Sequence, residues 1–107
     1  MKRIGFLLKV RPDKVAEYKK HHEAVWPEMQ AALRRSGWHN YTLFIREDGL
    51  VFGYFDAPVD FQAALAAIQA EPINPKWNEF MAPYFEKLPD LAVDESMLEL
   101  EEYFHLE

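Results

Sequence analysis

Two alternating runs joined by a tight-turn signal constrain this chain most. Residues 38–46 put Trp38, Asn40, Thr42 and Phe44 on one side, and His39, Tyr41, Leu43 and Ile45 on the other. Glu47-Asp48-Gly49 follows, and Asp-Gly tolerates the positive φ angles that a hairpin turn needs. Residues 50–55 return as the partner strand. A hairpin of this kind makes an antiparallel pair, and every other segment has to be fitted around it.

Before the hairpin, residues 4–10 alternate, with Ile4, Phe6, Leu8 and Val10 on one face. Pro12-Asp13 then opens a helix, with Asp13 as its expected N-cap. Val15, Tyr18, His22, Val25, Trp26 and Met29 recur at spacings of three and four and form one stripe. Pro27 lacks an amide donor and clashes with the preceding turn, so a break is expected at residues 22–25, followed by a second helical piece to Arg35. Gly37 suits a left-handed cap.

After the hairpin, residues 59–70 read as an alanine-rich helix, and Pro72 and Pro75 bracket a short break. Asn74 is expected to cap a helix from Pro75 to about Lys87, interrupted at Pro83 and ended by Pro89-Asp90. Residues 97–106 alternate again and predict a last strand. The order is β-α-β-β-α-β with an extra helix, an α+β chain of the ferredoxin-like split βαβ type. Helices would cover one face of the sheet. The other face keeps apolar side chains, and pairing two copies through it would bury them, so a homodimer in the manner of a dimeric α+β barrel is expected; the alternative is a monomer whose second face is wet, against which the aromatic content of the strands argues.

The composition fits a single domain over residues 1–107. Half the residues are hydrophobic and 15% are aromatic, enough for a core. Twelve Lys and Arg against eighteen Asp and Glu leave a net charge of −6, which argues against nucleic acid or an anionic membrane as partner. Zero cysteines exclude disulfides, thiol catalysis and cysteine-ligated metals. The apolar run at the N-terminus is too short for a signal-peptide core, and no stretch approaches membrane-spanning length, so the expected location is the cytoplasm.

Chemistry concentrates around residues 18–28. Tyr18 and His22 are one turn apart and meet on the face that points at the sheet. Histidine titrates near neutrality and serves as a general acid or base, but a core histidine donating to a backbone carbonyl has the same spacing. His21 is expected at the surface, and three consecutive helical residues, His21-His22-Glu23, cannot converge on one metal ion. Tyr41, on the face of His39, would oppose Tyr18 and His22 or fill core. Trp77, with Phe80 three residues on, would pack against a flat apolar ligand face or fill core. The acidic run Glu95, Glu99, Glu101, Glu102 and Glu107 reads as a solvated face or edge protection. No phosphate-binding glycine loop or nucleophile elbow is present, and neither Ser36 nor Ser96 has a nucleophile's context.

Together, Tyr18, His22, Trp26-Pro27-Glu28, His39-Asn40-Tyr41, Trp77 and Tyr103-Phe104 resemble the L-rhamnose mutarotase family across essentially the whole chain. The resemblance implies a ferredoxin-like dimer that interconverts the α and β anomers of L-rhamnose, or a related deoxy sugar, without a cofactor. The proton-donating histidine of the family falls on His22, and its sugar-contacting tyrosines on Tyr18 and Tyr41. Its late-helix tryptophan pair falls on Lys76 and Trp77, so this chain keeps the second and has lysine at the first, where it would donate to a sugar hydroxyl or point to solvent and leave the pocket wider. The competing readings are a cofactor-free monooxygenase or haem-binding α+β barrel protein, and a sugar-binding module without catalysis.

Overall fold

The computed structural model describes residues 1–86 and 97–107. Its elements are β1 (Lys2–Val10), α1 (Val15–His22), α2 (Pro27–Arg35), β2 (His39–Ile45), β3 (Leu50–Ala57), α3 (Phe61–Gln69), α4 (Ile73–Met81), β4 (Phe85–Glu86) and β5 (Leu98–Leu100). The sheet is antiparallel in the order β2-β3-β1-β4, and β5 pairs with β1 as well. β4 takes Lys9 and Val10, and β5 takes Gly5 to Leu7, so the two short strands share one edge of β1. This is the ferredoxin-like α+β order expected from the sequence.

The alternation of β1 is realised: Ile4, Phe6, Leu8 and Val10 are buried beneath the helices. Val51, Phe55 and Ala57 of β3 lie beside them. Phe6 stacks on Phe61 of α3 at 5.8 Å, and Trp38 stacks on Phe55 at 4.1 Å. The hairpin closes as expected, with Gly49 at φ +93 and its amide donating to the Arg46 carbonyl. Gly37 also takes a positive φ, at the end of α2. The helix breaks after His22 and resumes with Pro27 at the first position, where its missing amide costs nothing.

Several expectations are corrected. Asp13 does not cap a helix; it lies in a 3₁₀ turn, Pro12–Lys14, before α1. Helix α3 begins at Phe61, with Asp60 as N-cap accepting from the Ala63 amide. Helix α4 begins at Ile73, so Asn74 is a buried helical residue and not a cap. Pro75 falls in the first turn, where amides have no intrahelical acceptor, and is tolerated there. Pro83 stops the helix early: a 3₁₀ turn, Ala82–Tyr84, leads into β4. The last strand is only Leu98–Leu100, and residues 101–107 are exposed without regular structure. The ladder with β1 ends where Gly5 faces Leu100, three residues short of the start of β1 at Lys2. Glu102 joins it through a side-chain ion pair with Arg3 at 2.8 Å. Lys87, the stop at Pro89-Asp90, and Glu95 and Ser96 lie outside the described residues.

Trp38 is also displaced from its expected face. His39 pairs with Asp56 but Thr42 with Tyr54, so β2 carries one extra residue between them. Asn40 takes φ +54 at this bulge and its amide donates to Asp56 at 2.9 Å. Beyond the bulge, Tyr41, Leu43 and Ile45 point inward and Thr42 and Phe44 outward. Before it, Trp38 turns into the core at 3% exposure, its indole donating to the Ala64 carbonyl.

The outer face of the sheet carries an exposed aromatic pair among polar residues such as Thr42, Tyr54 and Asp56. Phe44 is 60% exposed and Phe52 37%, their rings 6.2 Å apart.

Candidate active site

The stripe on α1 brings Tyr18 and His22 against the sheet one turn apart, with ring centroids 4.4 Å apart. His22 Nδ1 lies 3.1 Å from the Tyr18 carbonyl. A carbonyl oxygen can only accept, so Nδ1 carries the proton, and neutral His22 keeps a free lone pair on Nε2. Burial pushes the His22 pKa below its ordinary 6.5; the neighbouring His21 adds to this, and the Tyr18 carbonyl bond opposes it. At neutral pH the imidazole is therefore uncharged.

Trp77, buried on α4, turns its ring edge-on to His22 at 5.8 Å, and Trp26 packs edge-on behind it at 5.0 Å. Tyr41 comes from the opposite side, on β2 just past the bulge. Burial raises the pKa of both Tyr18 and Tyr41, so both remain phenols. Tyr84 and Tyr54 use their hydroxyls in side-chain bonds, but Tyr18 and Tyr41 do neither, among the described residues. Tyr18, His22, Tyr41 and Trp77 border one cavity of about 1200 Å³. It presents a neutral imidazole, two phenol donors and the ring of Trp77, with Lys19, Glu23 and Arg34 also on its border; the imidazole, phenols and aromatic ring together suit a hydroxyl-rich ligand with an apolar face.

Four of the five residues expected from the sequence are therefore brought together: Tyr18, His22, Tyr41 and Trp77. Lys76 is exposed on α4 and does not border the cavity. On the other side of Trp77, Asn78 does, as does Asn74 one turn earlier. Neither asparagine was singled out for the site. Their i, i+3, i+4 relation to Trp77 was the available signal, hidden because Asn74 reads as a cap when followed by proline.

His21 is not at the surface as expected. It is half-buried, with Nε2 2.9 Å from the Tyr84 hydroxyl and its ring 4.7 Å from that of Phe80. The turn after α4 folds Tyr84 back over α1, a contact that helical phase alone does not report. Among the described residues, no group of three or more His, Asp or Glu is placed to hold a metal ion. No helix among them is long and apolar enough to cross a membrane.

A family model described as L-rhamnose mutarotase matches residues 3–106. The chain belongs to the L-rhamnose mutarotase family. An L-rhamnose mutarotase of Oceanobacillus iheyensis is 36% identical over 108 residues, covering all of both chains. One from Listeria monocytogenes serotype 4b is 35% identical over 107 residues, covering 99% of each. The crystal structure of an L-rhamnose mutarotase from Formosa agariphila superimposes with a TM-score of 0.79 at 29% identity, covering 100% of each chain. In this mutarotase-family chain, Trp77 borders the cavity and its neighbour Lys76 is exposed and does not.

Proposed function

We propose that residues 1–107 act as one mutarotase domain that interconverts the α and β anomers of L-rhamnose. The observation that carries the reading is the convergence of His22, Tyr18 and Tyr41 on one cavity, with His22 Nδ1 tied to a carbonyl and Nε2 without a partner among the described residues.

Opening the pyranose ring moves one proton off the anomeric hydroxyl and one onto the ring oxygen. Both oxygens are bonded to the same carbon, so a single Nε2 reaches both with a small tilt of the sugar. Neutral His22 takes the anomeric proton, and C1 becomes a carbonyl as its bond to the ring oxygen breaks. The imidazolium then donates to the ring oxygen. Rotation about C1–C2 exposes the other carbonyl face, and closure reverses both transfers. A pKa held below 6.5 by burial helps the imidazolium give its proton back. Tyr18 and Tyr41 orient the hydroxyls and, as phenols, stabilise negative charge on the oxygen that is losing its proton. Trp77 packs against the apolar face or the methyl group of the sugar.

The same reading makes the protein a cytoplasmic homodimer, two copies pairing through the face that carries Phe44 and Phe52. The relatives named above are mutarotases, and their names lend nothing to the monooxygenase, haem-binding or non-catalytic readings.

The test is saturation-transfer NMR of the anomeric protons of L-rhamnose, with L-fucose and D-glucose alongside. Exchange accelerated by the protein, strongest for L-rhamnose, is the expected result. Folded protein that accelerates exchange of none of the three overturns the reading.

A further inference from the structure

Asn74 is 7% exposed, in the first turn of α4, and borders the cavity. Its backbone amide is satisfied by the Glu71 carbonyl at 3.1 Å. Its side-chain amide makes no hydrogen bond among the described residues, whereas the exposed Asn40 amide is bonded to Asp56. Nor is it sealed away: the one buried side-chain polar atom without a partner and out of reach of solvent, among the described residues, is Ser36 Oγ. The Asn74 carboxamide therefore opens into the cavity. Asparagine is a weak helix former, and an unpaired buried amide costs stability, so this position is held at a cost that a ligand would offset.

Its place is informative. Asn74 precedes Trp77 by three residues, about 4.5 Å along the helix axis. Trp77 packs against His22, and Asn74 borders the same cavity one turn of α4 away from Trp77. Asn78, one turn after Asn74, borders the cavity on the same face. A carboxamide offers one acceptor and two donors, the complement of a secondary hydroxyl, and carries no charge that would demand an ionic ligand.

We propose that Asn74 is a specificity-determining residue that hydrogen-bonds a ring hydroxyl of the sugar at C2, C3 or C4, away from the anomeric carbon. This rests on the mutarotase reading. It makes the pocket selective by the position and orientation of one hydroxyl, while His22 acts on C1 of any sugar that binds.

The experiment compares anomer exchange of L-rhamnose and its 2-, 3- and 4-deoxy analogues in wild type, Asn74→Ala and Asn74→Asp, with circular dichroism confirming the fold. Wild type is expected to lose about 10- to 100-fold in kcat/KM for one analogue, the cost of leaving one buried hydrogen-bonding group unsatisfied. Asn74→Ala is expected to lose a similar factor for L-rhamnose and to treat that analogue as it treats L-rhamnose. Asn74→Asp, matched in size, covers the case in which alanine does not fold and should alter the ranking at the same analogue. Folded variants that keep the wild-type ranking of all four sugars overturn the proposal and leave the mutarotase reading standing. Wild type that exchanges no sugar overturns both.

Discussion

His22 Nδ1 donates to the Tyr18 carbonyl one turn earlier, at 3.1 Å. This bond fixes which nitrogen of the imidazole carries the proton, and so which nitrogen can work on a ligand. It comes from the i, i+4 geometry of a helix that ends at His22 itself.

The pH profile follows from the same residue. The active form is neutral, so kcat/KM for anomer exchange falls as pH drops, with a midpoint below 6.5 because burial lowers the His22 pKa. A midpoint above that value contradicts the assignment. The stability sign is the same. Between the folded pKa and 6.5 the unfolded chain binds a proton that the folded chain does not, so stability declines as pH falls through this window. Chemical denaturation of His22→Gln should show a shallower decline there.

Lys76 separates the structural account from a position-by-position carry-over of family residues. It is exposed and lies outside the cavity. Lys76→Ala should leave exchange of L-rhamnose within about twofold of wild type, as is usual for a surface substitution. A loss of tenfold or more in kcat/KM would place the lysine on the sugar.

Gly53 tests the core beneath the site. A Cβ there would overlap the ring of Phe6, which is fully buried and has no room to move. Gly53→Ala should cost about 1–3 kcal/mol by overpacking and lower Tm by several degrees. An unchanged Tm would mean that the Phe6 ring is not held where it is described.

The outer sheet face tests assembly. Replacing Phe44 and Phe52 by glutamate puts charge on the exposed aromatic pair; Phe44 also borders the cavity, so the readout is assembly and not activity. Sedimentation should show a dimer for wild type and a monomer for the double variant. A wild-type monomer would mean the sheet face is simply solvated.

Much of the fold was legible in the sequence because its signals are local. The alternation of Ile4, Phe6, Leu8 and Val10 needs only the period of a strand, and Asp48-Gly49 only the chemistry of one turn. Pro27 marks a break because a missing amide acts within its own helix. The failures are where distant residues decide. The bulge at Asn40 depends on pairing with Asp56 across the sheet, and it turns Trp38 into the core. His21 is half-buried because Tyr84 folds back from 63 positions away. The last strand stops at Leu100 although β1 continues to Lys2; beyond it Glu102 meets Arg3 through side chains and not through a backbone ladder. For the site, Tyr18 and His22 were visible as a helical pair. Asn74 was not, because Asn before proline has the local signature of a cap, and only the true start of α4 at Ile73 turns it inward.

The most direct measurement of the central claim is the anomer-exchange rate of L-rhamnose with His22→Ala, against wild type at equal concentration and with the fold checked by circular dichroism. The account predicts a loss of about 10²- to 10⁴-fold, the usual contribution of a positioned acid–base group. A folded His22→Ala that exchanges the anomers at the wild-type rate would contradict it.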